Sequence, residues 1–554
     1  MDVFGTTVQV IQLVYQTTIF IRDVTNDVKD YGDAKRDISE RLEHELAFVE
    51  TFKYVCFEQE GALMKYEQVR DSIRRDVKHC LDALNRAISD YRFEATKYDG
   101  TIPTSNADVE GAADSLAKTD LQDGDARLKD RMKAKYQVWK KKAAPLQWSL
   151  FGKEKMEKML ENYKQWTDRL RQTLSVILLL VGTPSTESGY HQRAANLRIS
   201  DVSERQRRAR EPPPANYDAL KGQMKDDITP IGGQTVIKGV YEDESGFDTK
   251  EVIVEIRQYD EALSLATQDH NADEIKALKE PLRKLSWLLQ APMDAVPSSR
   301  DSENDYGMYT LSCIGFVDEP RKNRSLLLYQ LPPALSTISD PPSLHTLINK
   351  GMAEKPTLGN RFGIARALAA TVLAIHTSGW VHKNIWSRSV LLLPDPKDPR
   401  EMHPYLVGWD VARPNYAGTS LAGIFELEPN LYHHEQRFGK PGQKFSNGHD
   451  IYALGVVLLE IGLWKTMSAI FAGPLKAKPE FSTAEQLSLF RRVNGVIVDK
   501  AKGMELRREV GNEYAAVVQR CLQWRPSTTA DEASELSISF RTEVVDALSA
   551  GSKL

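Results

Sequence analysis

The stretch from Phe4 to Ile21, FGTTVQVIQLVYQTTIFI, carries no charged residue over about 18 positions. Written on a helix, Phe4, Val8, Ile11, Val14 and Tyr15 cover one face, and Val10, Leu13, Ile19 and Phe20 widen it. A helix apolar over most of its circumference must be buried, in a helical bundle or in lipid. Gln9, Gln12, Gln16 and several threonines make the stretch much less apolar than a typical membrane span. The expectation is a central core helix in the resting protein, able to exchange protein burial for lipid burial if the two environments compete.

The following segments have helical periodicity. In 36-RDISERLEHELAFVETF, Ile38, Leu42, Leu46 and Val49 recur at helical spacing, as do Ile73, Val77, Leu81, Leu84 and Ile88 further on. A third segment runs from Lys153 to about Val181, and a bundle is the natural packing solution. Between them, residues 98–125 are polar and rich in turn formers, which predicts a loop. The run 131-RMKAKYQVWKKKAAP is basic and compatible with a helix. Its Lys133, Lys135, Lys140, Lys141 and Lys142, interleaved with Tyr136 and Trp139, make either a solvated face or a patch for anionic lipid head groups.

Residues 186–235 read as a linker. The basic cluster Arg205, Arg207, Arg208 and Arg210 precedes Pro212, Pro213 and Pro214, which forbid a continuous helix and favour an extended spacer. The cluster suits a lipid patch, a nuclear-import signal or a protease-sensitive spacer. From about residue 236 the period changes. Strand patterns occupy 251-EVIVEIRQY, 309-YTLSCIGFVD and 325-SLLLYQLP, with a helical stretch at roughly 271–290 between the first two. Helical patterns dominate from residue 361 onward. The expected organisation is multidomain, with an all-α bundle over 1–185, the linker, a small mixed lobe over 236–335 and a mostly helical lobe over 336–554.

The 554 residues include 73 Lys+Arg against 77 Asp+Glu, a balance that argues against nucleic-acid binding. Cys56, Cys80, Cys313 and Cys521 lie far apart, with no CxxC pair, so a zinc site or disulfide framework is not expected. A reducing, cytoplasmic setting is the simpler reading, and the opening Met1-Asp2 lacks the basic start of a secretory signal.

The second part carries a sharper pattern. The long helix ending near Ser378 leads into 380-WVHKNIWSRSVLLL. Downstream come 405-YLVGWDVARP, 450-DIYALGVVLLEIGLW and Cys521-Leu522 followed by 525-RPS. In order and spacing, residues 236–549 resemble a protein kinase domain: the HRDLxxxN loop, the DFG segment, the DxxxxG helix and the late helices of the large lobe. This implies a bilobal α+β kinase-like fold. A kinase needs a lysine on the phosphates, an Asp base, Asn and Asp on magnesium, and a Gly-rich loop. By resemblance, Arg257 in 254-VEIR stands at the lysine, Asn384 at the base, Ser389 at the metal-binding Asn and Gly408 at the DFG Asp. No GxGxxG precedes residue 252, Ile231-Gly232-Gly233 being the nearest candidate, and 432-YHHEQ stands in place of APE.

An amide cannot accept a proton as a carboxylate does, and glycine offers Mg2+ no side-chain oxygen. The reading is therefore a pseudokinase: no catalytic residue, no metal, and ATP binding possible but not expected. Arg257 retains a possible nucleotide contact; otherwise it is expected to pair with Glu274 or Glu280. A shifted register would instead bring Asp410 or Asp395 to a metal. His382 reads as a structural loop residue and Asp450 as an anchor for the loop backbone. A metal site at His433, His434 and His449 is not expected.

The opening 21 residues, followed by 29-KDYGDAKRDISERLEHELAFVE, resemble the fungal HeLo domain of heterokaryon-incompatibility and prion-inhibition proteins. With the kinase-like part, the layout is similar to mixed-lineage kinase domain-like proteins. The resemblance implies a signalling protein of regulated cell death, in which the kinase-like part restrains a bundle that forms homo-oligomers and reaches the plasma membrane on activation. Phe4, Val8 and Ile11, with Lys140, Lys141 and Lys142, are the lipid-facing candidates, and an upstream signalling protein of unknown identity is implied. Rival readings are an interaction scaffold without membrane activity and a weakly active atypical kinase.

Overall fold

The computed structural model describes residues 3–27, 34–57, 63, 71–91, 151–181, 205, 207–209, 211–229, 235–290, 308–336, 338, 340–396, 398–415, 427–438, 444–471, 483–524, 537, 539–549 and 551, with 130, 134 and 137 as isolated positions. The chain divides into two compact units, Met1–Ser203 and Glu204–Leu554. The first is helical. The second combines antiparallel strands with helices.

In the first unit, α1 (Val3–Asp27) packs against α2 (Ala34–Phe57) and α3 (Asp71–Ala87), and α4 (Lys153–Val181) packs against α2 and α3. The 3.6-residue period explains the core: Ile38, Leu42, Leu46 and Val49 of α2 are buried, as are Ile73, Val77, Leu81 and Leu84 of α3. Helix α1 is buried nearly all round, with Val8, Ile11, Val14, Tyr15, Ile19 and Val24 inside. Thr18 Oγ1 donates to Val14 O at 2.7 Å and lies 2.8 Å from the Tyr163 hydroxyl, tying α1 to α4. Arg171 of α4 reaches Glu45 of α2 at 3.0 Å, and Arg169 reaches Asp76 of α3 at 2.8 Å. The loop expected over 98–125 and most of the basic run from Arg131 lie outside the described residues.

The second unit begins with a correction. Over residues 211–229 the segment read as a spacer is part of this unit. The prolines make it extended, as expected, but Arg283 donates to the carbonyls of Pro214 at 2.6 Å and Pro213 at 3.2 Å, and the Tyr217 hydroxyl meets Ser286 Oγ at 2.7 Å. Arg208 of the basic cluster is buried over the Trp287 ring at 4.4 Å and donates to Gln290 O at 3.0 Å. Its charge is used inside the fold.

This segment then supplies β1 (Gly222–Met224) to a five-stranded antiparallel sheet of order β1-β2-β3-β5-β4, with β2 (Ile237–Asp243), β3 (Thr249–Gln258), β4 (Ser312–Glu319) and β5 (Arg324–Gln330). Alternation along β3 serves two cores. Val252 and Val254 join Leu326 and Leu328 on one face, and Ile253 joins Leu327 and Tyr329 on the other. On that second face lie Leu282, Leu285, Leu288 and Leu289 of α6 (Ala272–Leu289), which follows the short α5 (Glu261–Gln268). Asn271 caps α6, its side chain accepting from Glu274 N at 3.3 Å.

The longer helices that follow are α7 (Leu344–Lys350), α8 (Leu358–Thr377), α9 (Asn447–Leu463), α10 (Thr483–Lys502) and α11 (Met504–Leu522). Two short ladders lie between α8 and α9: β6 (Trp380–Val381) pairs with β9 (Arg413–Pro414), and β7 (Val390–Pro394) with β8 (Met402–Leu406). Helix α9 is buried from Gly448 through Leu463. Gly455 makes this possible, since a Cβ there would stand 2.8 Å from Cys521 Cβ and 3.1 Å from Leu522 N of α11. Among the described residues, α8 is the helix long and apolar enough to cross a membrane, and 83% of that stretch is buried in this unit. Helix α1 does not reach that composition.

Candidate functional site

The segment between β6 and β7 is held from below by α9. The helix begins after the cap Ser446, which puts Asp450 in its first turns, wholly buried. One Asp450 oxygen accepts the amide of Lys383 at 2.9 Å. The other accepts the amide of His382 at 2.8 Å and lies 3.1 Å from His376 Nε2. Burial works to raise this carboxyl, but the His376 bond and the His382 amide hold it below the usual carboxylate range. Lys383 takes a left-handed backbone with φ 72° at this turn.

The His382 ring is fully buried, edge-on to the Trp409 ring with centroids 4.6 Å apart, and its Nδ1 accepts the Asn384 amide at 3.3 Å. Burial pushes its pKa down to about 4, so it is neutral at physiological pH. Ser389 Oγ accepts from Trp386 N at 3.1 Å and donates to Trp386 O at 3.0 Å, closing its own loop.

Against this loop stands Gly408-Trp409-Asp410. Gly408 has φ 86°, a left-handed backbone that side chains avoid. A Cβ on it would meet Asn384 Nδ2, Ser389 Cβ and Thr235 Cγ2, each at 3.1 Å. An aspartate here would strain the backbone and push each of these neighbours by a few tenths of an ångström. Asn384 Nδ2 donates to Asp410 Oδ1 at 3.3 Å, and burial raises the Asp410 carboxyl against that bond.

The sheet contributes a residue that the sequence reading passed over. Glu255, two positions before Arg257 and on the same face of β3, is completely buried. Its oxygens accept the amides of Gly408 and Trp409, each at 2.8 Å, and the Tyr329 hydroxyl at 3.2 Å. Burial pushes the carboxyl up to about 8, outweighing those amide bonds, with Asp410 adding to the rise. The one sequence signal was an acid in the middle of an apolar strand.

Arg257 does not pair with a helix glutamate. Its Nη1 donates to Ala412 O at 3.1 Å. Glu274 instead accepts from its own cap, Asn271, at 2.9 Å, and Glu280 accepts from Arg283 at 2.9 Å. Asp395 does not join Asp410. It lies 2.9 Å from His403 Nε2 at the β7–β8 turn. His434 and His449 pack edge-on with ring centroids 5.8 Å apart, but the histidine Nδ1 atoms are engaged elsewhere: His433 Nδ1 lies 3.2 Å from Asn430 Oδ1, His434 Nδ1 accepts from Gln436 N at 3.3 Å, and His449 Nδ1 from Ser446 N at 2.9 Å. Among the described residues no group of three or more His, Cys, Asp or Glu side chains could hold a metal ion.

In the first unit, Val8 and Ile11 face the core rather than solvent. The side chain of Phe4, and Lys140, Lys141 and Lys142 altogether, lie outside the described residues.

The arrangement thus bonds the carboxyl groups of Glu255, Asp410 and Asp450 to protein donors. It gathers loop, sheet and α9 into one braced contact. No family model matches this chain, and a search of curated proteins returns no match.

Proposed function

We propose that residues 204–554 are a protein-kinase-like domain without phosphoryl transfer, a pseudokinase, which controls a HeLo-like helical unit over residues 1–203. One observation carries the first half: the three carboxyl groups gathered at the loop already accept protein hydrogen bonds, and Gly408 offers no side chain to steer a cation. Such a site braces one conformation and has no group poised to take the hydroxyl proton.

The second half rests on α1. Gln12 is buried with neither its Oε1 nor its Nε2 hydrogen-bonded, and Thr17 Oγ1 has no partner either. Each such group costs about 1–3 kcal/mol. The core seat of α1 is therefore less favourable than its apolar surface alone would make it, which suits a helix that leaves on activation. The protein then acts as a homo-oligomer at anionic membranes, in a regulated cell-death response to an upstream signalling protein.

Two measurements test this. Incubation with radiolabelled ATP and magnesium or manganese should give no autophosphorylation, and clear labelling abolished by Asn384→Ala would refute the pseudokinase reading. Dye release from anionic liposomes should be strong for residues 1–203 and weak for the full chain. Release from neither leaves an interaction scaffold as the better description.

A further inference from the structure

The lysine in the braced loop has unusual surroundings. Several other lysines of the second unit face carboxylates: Lys322 meets Asp227 at 2.7 Å, Lys465 meets Glu505 at 2.8 Å and Lys238 meets Glu251 at 3.1 Å. Of these, Lys322 has its amine raised by the bond to Asp227. Lys383 is half-buried, and no hydrogen bond or ion pair joins its Nζ to a described residue.

What surrounds it is positive. The β6–β9 ladder puts Arg413 opposite Val381, two residues before Lys383. Phe445 brings a second cation to the same place: Arg413 Nη2 donates to its carbonyl at 3.2 Å, and the Arg437 guanidinium lies 5.6 Å from its ring centre. Arg257 of β3 also acts on Lys383, and the neighbouring His433 is kept neutral by burial, its pKa down to about 4. Among the described residues the opposing charge acting on it is Asp450, whose oxygens are occupied by the loop amides and His376. Guanidinium groups do not lose their protons, so in such a cluster the lysine is the member that does. Burial, with Arg413, Arg437 and Arg257 adding to it, lowers its amine to about 8. A desolvated lysine beside other cations is a nucleophile near neutral pH.

We propose that Lys383 is a covalent modification site, a reactive amine that takes an acyl group from an acyl phosphate. The surrounding cations attract the anionic donor. The neutral Nζ attacks the acyl carbon and the N–C bond forms. The bond from that carbon to the phosphate oxygen breaks, phosphate leaves with the electron pair, and the proton released by the amine goes to water. The product is a neutral amide, so one positive charge disappears from a crowded cluster. This inference concerns the chemistry of one side chain and stands apart from the membrane and pseudokinase readings; either can fail without the other.

The test uses the full chain and acetyl phosphate as the probe, with acetyl occupancy at each lysine followed by peptide mass spectrometry from pH 6.5 to 9.5. Lys383 should react about tenfold faster than Lys322 at pH 7.5, given its lower pKa. Its rate should reach half-maximum near pH 8, and added inorganic phosphate should slow Lys383 while leaving Lys322 unchanged. Arg437→Gln should move the half-maximum to higher pH, and an unmoved midpoint in the folded variant overturns the part given to the arginines. If Lys383 reacts no faster than Lys322 at any pH in the native chain, the proposal is wrong, whatever the variant does.

Discussion

Glu255 in the sheet accepts the backbone amide of Trp409 at 2.8 Å, across 154 residues of sequence. The same carboxylate takes the amide of Gly408, so a single strand residue fixes the start of the Gly-Trp-Asp turn. Replacing it with alanine leaves two backbone donors unpaired, each costing about 1–3 kcal/mol. Glu255→Ala should therefore lower the denaturant midpoint of the full chain clearly, and Glu255→Gln, which keeps one acceptor, should lower it less. A midpoint unchanged in both variants would remove Glu255 from this role.

A side chain at Gly408 would be strained and crowded. Its φ of 86° and its three neighbours at 3.1 Å predict that Gly408→Ala costs at least about 1–2 kcal/mol, the penalty of a left-handed backbone for an L-residue. The double variant Asn384→Asp, Gly408→Asp should show no more autophosphorylation than the native chain. Measurable labelling would mean that the loop tolerates the acid after all.

Stability should depend on pH from both sides. Burial raises Glu255 to about 8 and Glu460 to about 7, above the ordinary value of 4.5. The folded chain then holds protons that the unfolded chain has lost, so these two lower stability as pH rises from about 4.5 to 8. His382, His433 and His449 are pushed by burial to about 4, below the ordinary 6.5. Here the unfolded chain binds protons first, and stability is lost as pH falls from about 6.5 towards 4. Three histidines outweigh two carboxyls where the ranges overlap, which puts the maximum near pH 6.5. Each group contributes a slope of up to about 1.4 kcal/mol per pH unit. Denaturant midpoints measured from pH 4 to 8 check this, and Glu255→Gln should flatten the alkaline limb and steepen the acid one. A midpoint constant between pH 6.5 and 8 contradicts the assignment.

Gln12 gives a prediction of opposite sign. Both its polar side-chain atoms are buried without partners in α1, so Gln12→Leu should stabilise the helical unit by about 1–3 kcal/mol. Thermal unfolding of the full chain reads this as a raised midpoint for the first unit. A lowered midpoint would mean that the amide is satisfied in solution.

Local period decided much of the architecture. Ile38, Leu42, Leu46 and Val49 recur as a helix face requires, and α2 buries them. The alternation in 251-EVIVEIRQY became β3, and the helical stretch near 271–290 became α6. A repeat of 3.6 or 2 residues is a property of neighbours in the chain, so local sequence order carries it. The identities at 384, 389 and 408 likewise stand in the sequence. The partners of those side chains do not. Arg257 bonds a carbonyl at Ala412 and not a glutamate of α6, and Glu255 closes on amides more than 150 residues away. The prolines at 212–214 dictate an extended chain, but its docking against Arg283 and the pairing of Gly222–Met224 with β2 depend on a helix and a strand supplied later. Which donor meets which acceptor is set by how strand register and helix packing bring distant segments together, and only the folded chain fixes that.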